Sequence, residues 1–219
     1  MLTFQDFFIA CDGFWTTERT YHSVLADAIE RSYTEFRAET LNQAEKQKML
    51  SGTTSTDSTF SGIKIDVERG MNDPSSCPGF AIAFETRSET GEEVSMSLTA
   101  LFVPDSYVTG QITKADPILF PLAAQVPLQP DGEVIQGYYL RDKGYSEGGA
   151  IAGRFTYQPT RQTLEMTTYY NRSVAVDQMR FVKPDLRLRT IVTYERPQDG
   201  SIPTVINLIG FGVERKQIA

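Results

Sequence analysis

Apolar and polar residues alternate along most of the chain, a pattern that predicts β-strands. The alternation is clearest from Ile63 to Val67 and from Val94 to Phe102, where every second residue is apolar. Comparable runs recur at residues 15–25, 32–41, 61–69, 79–87, 93–103, 135–141, 150–157, 163–171, 175–182, 186–195 and 202–213. The pattern therefore predicts about ten strands.

Short connections between these runs predict how the strands are arranged. Residues 158–160 and 183–185 have the composition of hairpin turns. Strands joined in succession by hairpins form an up-and-down meander, and a meander of this length closes on itself to remove its edges. We therefore expect an all-β protein built as one closed antiparallel barrel.

Three segments depart from the alternation. Clustered aromatic residues predict a short helix over Phe4–Cys11, with Thr3 or Asp6 near its start. Residues 42–50 have a helical composition. Four prolines within residues 105–132 exclude a central strand, and they predict an extended loop over the barrel mouth or rim.

Composition narrows the classes of protein. With 219 residues, 40% of them hydrophobic, the chain is large enough for one sizeable core, so we expect a single domain spanning residues 1–219. A formal charge of -7 argues against a nucleic-acid partner, which requires a basic surface. The sequence has no apolar run of about 18 residues and no basic-then-apolar leader, so we expect a soluble, cytoplasmic protein without a membrane span.

The few histidines and cysteines limit the possible chemistry. His22 is the single histidine, and together with Cys11 and Cys77 it lacks recognisable zinc spacing, so we expect no metal site. We expect both cysteines to be free thiols. Neither a nucleophile-elbow motif nor a phosphate-binding glycine loop occurs. Chemistry must therefore depend on carboxylates, arginines and tyrosines.

Arg187 and Arg189 lie two residues apart on a predicted strand and therefore share one face. Because a guanidinium group binds a carboxylate with two parallel hydrogen bonds, the pair suits a small molecule that carries two acid groups. Two alternatives remain open for this pair. Strand arginines commonly face solvent, and one of the two could instead support the barrel end.

The start of the chain resembles the lipocalin signature. A short helix leads into Gly13, Phe14 and Trp15, and in lipocalins a tryptophan at this place closes one end of the barrel. An arginine from a late strand packs over its ring, a role that Arg187 or Arg189 would fill.

A more specific resemblance covers residues 4–25 and 135–190. The runs 137–147 and 152–155, followed by 164–170, 176–181 and 184–190, resemble the S/U-type (CpcS/CpeS-like) phycobiliprotein lyases in order and spacing. The resemblance implies an antiparallel, lipocalin-like (fatty-acid-binding-protein-like) barrel of about ten strands with a short N-terminal helix.

The resemblance also implies an activity. Such lyases attach a linear tetrapyrrole (bilin), phycocyanobilin or phycoerythrobilin, through a thioether to a cysteine of an antenna phycobiliprotein subunit. The bilin would be a substrate, with no metal and no cofactor, and the site of action would be the cyanobacterial cytoplasm or the plastid stroma. A homodimer and a heteromer with a related lyase subunit both remain open. The alternative is a lipocalin-like carrier or chaperone that binds bilin or another acidic hydrophobic ligand without catalysis.

The resemblance assigns roles to individual residues. The two propionates of a bilin suit Arg187 and Arg189. Asp177 occupies the place of a family glutamate that is thought to contact the chromophore nitrogens, so we expect it to be the catalytic, proton-handling group; a solvated hairpin aspartate is the alternative. Further candidates for bilin binding, any of which could instead pack or stay solvated, are Tyr145, Tyr169, His22, Arg19, Arg141 and Arg154. Because neither cysteine has a basic neighbour in sequence, we expect bilin to bind noncovalently.

Overall fold

A computed structural model of the chain describes residues 1–51, 63–72, 76–111, 120–124, 133–144 and 149–217. Ten of its strands form a closed antiparallel barrel. They are β1 (Gly13–Ser23), β2 (Ala28–Thr40), β4 (Gly79–Ser88), β5 (Glu93–Pro104), β7 (Ile135–Arg141), β8 (Ile151–Gln158), β9 (Thr163–Tyr169), β10 (Ser173–Lys183), β11 (Leu186–Glu195) and β12 (Ile206–Lys216). Around the barrel they follow the order β1-β12-β11-β10-β9-β8-β7-β5-β4-β2. This confirms the predicted all-β, up-and-down barrel.

Outside the barrel wall, the described residues form a second small sheet and three helices. Strands β3 (Ile63–Ile65) and β6 (Val108–Gln111) pair with each other. The helices are α1 (Phe4–Cys11), α2 (Gln43–Ser51) and α3 (Val67–Asn72). Helix α1 matches the predicted N-terminal helix, and α2 matches the helical composition of residues 42–50.

Helix α1 closes one end of the barrel. Its start is fixed by a reciprocal cap, in which the Thr3 side chain accepts from the Asp6 backbone and the Asp6 side chain accepts from the Thr3 backbone. Phe7 and Phe8 are buried completely against the aromatic residues of the strands. Trp15 on β1 is also fully buried, and its indole Nε1 donates to the Cys11 carbonyl at 2.9 Å. The part of the barrel interior that these side chains leave unfilled extends towards the end opposite α1.

The prediction of a strand over residues 61–69 was wrong beyond Ile65. The chain turns into α3 there, and the Asp66 side chain accepts a hydrogen bond from the Arg69 backbone at 3.0 Å, as a helix cap does. Ile63 and Ile65 pack outside the barrel in a cluster with Leu101 and Leu140. The alternation is real only from Ile63 to Ile65, where two buried residues flank the exposed Lys64. The predicted strand was therefore too long.

Residues 120–124, a described part of the segment between β5 and β7, lie against the outer wall of the barrel. At residues 120–124, the Ala123 backbone nitrogen donates to Tyr194 Oη at 3.2 Å, and Gln178 Nε2 donates to the Ala123 carbonyl at 3.4 Å. Both partners are on the outer wall. Tyr194 is the second-last residue of β11, at the end of that strand remote from Arg187 and α1, so residues 120–124 lie outside the barrel near its open rim.

Cys11 and Cys77 are buried in different hydrophobic clusters and are not joined by a disulfide, in agreement with the expectation of two thiols. None of the helices in the part of the chain that the structure describes is long and apolar enough to span a bilayer.

Candidate functional site

The barrel contains a cavity of about 510 Å³, within the size range of small-molecule sites. It begins at α1 and extends towards the opposite end of the barrel. Most of its wall is apolar or aromatic, with Phe36, Phe84, Met96, Met166 and Ile191 among the lining residues. Its polar groups are concentrated at a few positions, a combination that suits a ligand with a large apolar body and few charged groups.

Both arginines of the predicted pair face this cavity, but they have different partners. Arg187 is 3% exposed and its guanidinium carbon lies 4.7 Å from the centre of the Trp15 ring. Its Nε donates to Glu214 at 2.5 Å. These are the contacts expected of the arginine that packs over the barrel-closing tryptophan, the alternative left open by the sequence.

Arg189 forms an ion pair with Asp177 across β11 and β10. Its Nε lies 2.9 and 3.1 Å from the two carboxylate oxygens, and its Nη2 donates to the same carboxylate. The two side chains are only 12% and 18% exposed. Asp177 therefore faces the cavity, and the arginine that we expect to bind a ligand carboxylate already holds a carboxylate of the protein.

Glu214 on β12 was missed by the sequence analysis. It is fully buried and joins three arginines: Arg187 at 2.5 Å, Arg19 at 3.4 Å and Arg189 at 3.6 Å. Burial alone raises the pKa of Glu214, but the charges of Arg187, Arg189 and Arg19 outweigh this effect and hold the pKa below its usual value. Glu214 is therefore a fixed anion that orders the cluster.

Arg19 on β1 is the most loosely held guanidinium of this cluster. Besides the 3.4 Å contact with Glu214, its Nη1 lies 3.5 Å from Tyr21 Oη. Its Nε is buried and has no hydrogen-bond partner among the described residues. A buried donor in this condition is costly unless a ligand or water satisfies it. Arg19 was a secondary candidate from sequence, and the geometry makes it a leading one.

Two glycines on β12 make room for these side chains. A Cβ at Gly212 would lie 3.0 Å from the Arg19 side chain, and one at Gly210 would lie 2.8 Å from the Tyr21 ring. The contact at Gly210 would be too short for a real side chain, and the contact at Gly212 would be tighter than most. β12 therefore has no side chain at these two interior positions, which leaves room for Arg19 and Tyr21 to lie across it.

Of the other candidates from sequence, Arg154, Tyr169 and His22 do not line the cavity. Arg154 lies on the outer face of β8, where it makes a 2.7 Å ion pair with Asp105 and packs over the Tyr138 ring. Tyr169 is on the opposite face of β9 from the cavity-lining Met166, and His22 is exposed. Tyr145 lies outside the described residues.

The structure also corrects the expectation that neither cysteine has a basic neighbour. Cys11 lines the cavity floor, and Arg187 Nη1 lies 3.0 Å from its sulfur. Even so, burial raises the pKa of the Cys11 thiol, with the Arg187 charge opposing only part of the effect. The thiol form is therefore favoured, and the proximity of Arg187 does not make Cys11 a thiolate.

A second polar cluster lies on a different part of the wall. Arg141, 3% exposed at the end of β7, donates from Nη1 to the hydroxyls of Tyr139 and Tyr170, both at 3.2 Å. The Tyr139 hydroxyl is also 2.8 Å from Thr168 Oγ1. All four side chains line the cavity.

A closed antiparallel barrel, plugged by a helix at one end and holding an apolar cavity with buried arginines, is a lipocalin-like fold whose cavity has the size and lining of a small-molecule site. Comparison with known proteins is more specific. The family model described as CpeS-like protein matches residues 122–217. Chromophore lyase CpcS/CpeS 1 of Synechococcus sp. (strain JA-3-3Ab) is 38% identical over 213 residues, covering 97% of this chain and 96% of the relative. The chain belongs to the CpcS/CpeS chromophore lyase family.

Two further proteins are similar to the chain. Chromophore lyase CpcS/CpeS of Thermosynechococcus vestitus (strain NIES-2133 / IAM M-273 / BP-1) is 34% identical over 67 residues, covering 31% of this chain and 36% of the relative. The solved structure of S-type phycobiliprotein lyase CPES from Guillardia theta superposes with a TM-score of 0.61 at 15% identity, covering all of this chain and 95% of the other. At this low identity, the similarity to the Guillardia theta structure supports the barrel fold alone.

Proposed function

We propose that this protein is a phycobiliprotein lyase that binds a bilin noncovalently in the barrel and attaches it through a thioether to a cysteine of an antenna phycobiliprotein subunit. The observation that carries the proposal is the buried cluster of Arg19, Arg189 and Asp177 in the wall of a cavity of about 510 Å³, within a chromophore lyase chain. The bilin is a substrate in this proposal, and neither a cofactor nor a metal takes part.

Charge and shape both suit this ligand. A bilin has a flat, conjugated, apolar body, which suits a wall built from Phe, Met and Ile, and it carries two propionates on its two middle rings. The cluster contains three guanidinium groups, those of Arg19, Arg187 and Arg189, against the two carboxylates of Asp177 and Glu214. Among these described groups the positive charge is therefore in excess, as an anionic ligand requires.

The three arginines have different partners, and in our proposal they have different roles. Arg187 is held by Glu214 and Trp15, so in our proposal it supports the barrel floor. Arg189 and Arg19 bind the propionates. A propionate that binds Arg189 takes the place of Asp177, because both are carboxylates that use the same donors. The released Asp177 carboxylate then accepts a hydrogen bond from a pyrrole N–H of the bilin. Ligand binding and positioning of the catalytic carboxylate are thereby one event.

The attachment step is an addition. The sulfur of the acceptor cysteine forms a bond to the exocyclic ethylidene carbon of the bilin, the carbon–carbon π bond breaks, and the proton of the thiol is balanced by protonation of the adjacent ring carbon. No group leaves and nothing is oxidised. The protein contributes by holding the bilin in one reactive conformation and by stabilising the protonated pyrrole system through Asp177.

The experiment is coexpression of the chain with bilin synthesis and an antenna apoprotein, followed by denaturing electrophoresis and zinc-induced fluorescence. We expect a fluorescent acceptor band that depends on this chain and disappears when the acceptor cysteine is replaced by Ala. Purified protein that binds bilin but leaves every antenna subunit unmodified would support the alternative of a carrier or chaperone. The antenna subunit that is modified would identify the acceptor, and we propose the cyanobacterial cytoplasm or the plastid stroma as the location of the reaction.

A further inference from the structure

The outer faces of β11 and β12 form an apolar surface on the barrel wall. On β12, Phe211 is 50% exposed and Ile209 is 41% exposed. The neighbouring outward positions of β11 include Leu188 and Val192, which are half-buried. The inward positions of the same two strands carry the arginine cluster, so the alternation of a strand puts these apolar side chains outside. Grouped apolar side chains on an exposed face are typical of a protein contact surface.

One row of residues across this surface carries opposite charges at its two ends. Arg180 on β10 lies beside Leu188 on β11. Leu188 lies beside Val213 on β12, and Val213 lies beside Glu18 on β1. Arg180 and Glu18 are both exposed, and neither forms an ion pair with another residue in the part of the chain that the structure describes. The row therefore consists of a cation, two apolar residues and an anion, spread over about 14 Å of sheet at the usual strand spacing.

This row is complementary to a second copy of itself. A two-fold axis that runs parallel to the strands, midway between β11 and β12, brings the β11 side of one copy against the β12 side of the other. Arg180 of each copy then faces Glu18 of the other copy, and the apolar residues of the row face each other between them. The strands of the two sheets are aligned in this arrangement, as they are in one common class of packed sheets.

We infer that the outer face of β11 and β12 joins two copies of this chain in a symmetric dimer. The apolar centre supplies buried area, and the charged ends determine how the copies are oriented. Two convex barrel walls curve apart at the flanks of such a contact, and the long side chains of Arg180 and Glu18 are placed to cross that gap. The open end of the barrel lies at the strand ends, so the dimer leaves the cavity mouth accessible. The inference does not depend on which ligand the cavity binds.

Charge reversal tests this dimer, because the symmetry makes every substitution act at two places. Glu18→Arg puts like positive charges together at both ends of the contact, and Arg180→Glu puts like negative charges together there. Each variant alone should therefore raise the dissociation constant of the dimer about tenfold or more. A mixture of the two variants allows a dimer in which both ends again join opposite charges, so mixing should restore association. Arg37→Glu is the matched control, because Arg37 is exposed on the outer face of β2, away from the row.

The measurement is sedimentation equilibrium of the full chain over a range of concentrations. We expect a concentration-dependent dimer for the parent and for the control, weaker association for each reversal variant, and a restored dimer in the mixture. The exchanged side chains are exposed, so circular dichroism should show the same fold in all of these proteins. A parent that stays monomeric, or that associates only with a different lyase or antenna subunit, would overturn the inference. A dimer that persists unchanged in both variants, or a mixture that stays monomeric, would overturn it as well, because the contact would then use another surface.

Discussion

Replacing Asp177 by Asn tests whether the protein's own carboxylate competes with the ligand for Arg189. The substitution keeps the shape of the side chain and removes its charge. In the unliganded protein Arg189 donates to Asp177 through Nε, at 2.9 and 3.1 Å, and through Nη2. A propionate must break these bonds before it can form its own. Asp177→Asn therefore weakens the bonds that a propionate has to break, and it lowers the free-energy cost of bilin binding.

The structure sets the size of the effect. Hydrogen bonds between charged, largely buried groups contribute about 1.5 to 3 kcal/mol net. Arg189 keeps a second carboxylate, Glu214, at 3.6 Å, so the variant does not leave it without an anion nearby. Taking the lower end of that range, Asp177→Asn should bind bilin about tenfold more tightly. Transfer to the acceptor should nevertheless slow, because the amide does not stabilise a protonated pyrrole.

The assay uses the single tryptophan of the chain. Trp15 is buried beneath the cavity-lining Arg187, whose guanidinium carbon lies 4.7 Å from the ring centre, so a bilin in the cavity should quench its fluorescence and report binding. Titration of the parent and the variant with bilin gives the affinity ratio, and the same preparations give transfer rates with an antenna apoprotein. The dimethyl ester of the bilin, in which both carboxylates are neutral, should show no gain. Binding of bilin that is no tighter in Asp177→Asn than in the parent would refute the exchange of carboxylates at Arg189. An unchanged transfer rate would refute the catalytic role of Asp177.

Two further predictions concern buried carboxylates: neighbouring arginines lower the pKa of Glu214, and burial raises the pKa of Glu165. Glu214→Gln should destabilise the fold by about 3 to 5 kcal/mol, because three arginines lose a buried anion, and chemical denaturation of folded parent and variant measures it. Because the folded pKa of Glu214 is lowered, its stabilisation is present above the unfolded pKa and is lost as the pH falls through the folded pKa, so the two proteins should converge in acid. Glu165 is the opposite case, since burial raises its pKa from 4.5 to about 7 while Gln178 donates to it at 2.7 Å. Its charge opposes folding increasingly as the pH rises from about 4.5 to about 7, so Glu165→Gln should raise the free energy of unfolding by up to about 3 kcal/mol at pH 8 and by almost nothing at pH 4.5. Equal differences at the two pH values would contradict the raised pKa.

Features encoded in neighbouring residues could be predicted from the sequence. Helix α1 has its cap at Thr3 and its apolar face within eight residues, and the hairpin strands alternate clearly. The shared face of Arg187 and Arg189 follows from the two-residue repeat of a strand. The same repeat could have placed Arg154 outside, since its neighbours Phe155 and Gly153 alternate with it.

Features that depend on distant residues could not be predicted in this way. Glu214 lies opposite Arg187, 27 residues away, in the pairing of β11 with β12. Only closure of the barrel through β1 and β12 brings Arg19, 195 residues away, to the same carboxylate. One local signal was present. Gly210 and Gly212 share a strand face with Glu214, and glycines at two successive inward positions indicate that other side chains occupy that space.

The most direct test of the account is transfer from purified, bilin-loaded protein to an antenna apoprotein, followed by mass spectrometry of the acceptor peptides. The account predicts that one cysteine-containing peptide gains the mass of the intact bilin, because addition loses no atoms, and that the lyase is recovered without chromophore after denaturation. The double variant of Arg19 and Arg189 to Gln should transfer far less, and Arg37→Gln should transfer as the parent does. Chromophore that stays covalently on Cys11 or Cys77, or an acceptor that gains no mass, would contradict the account.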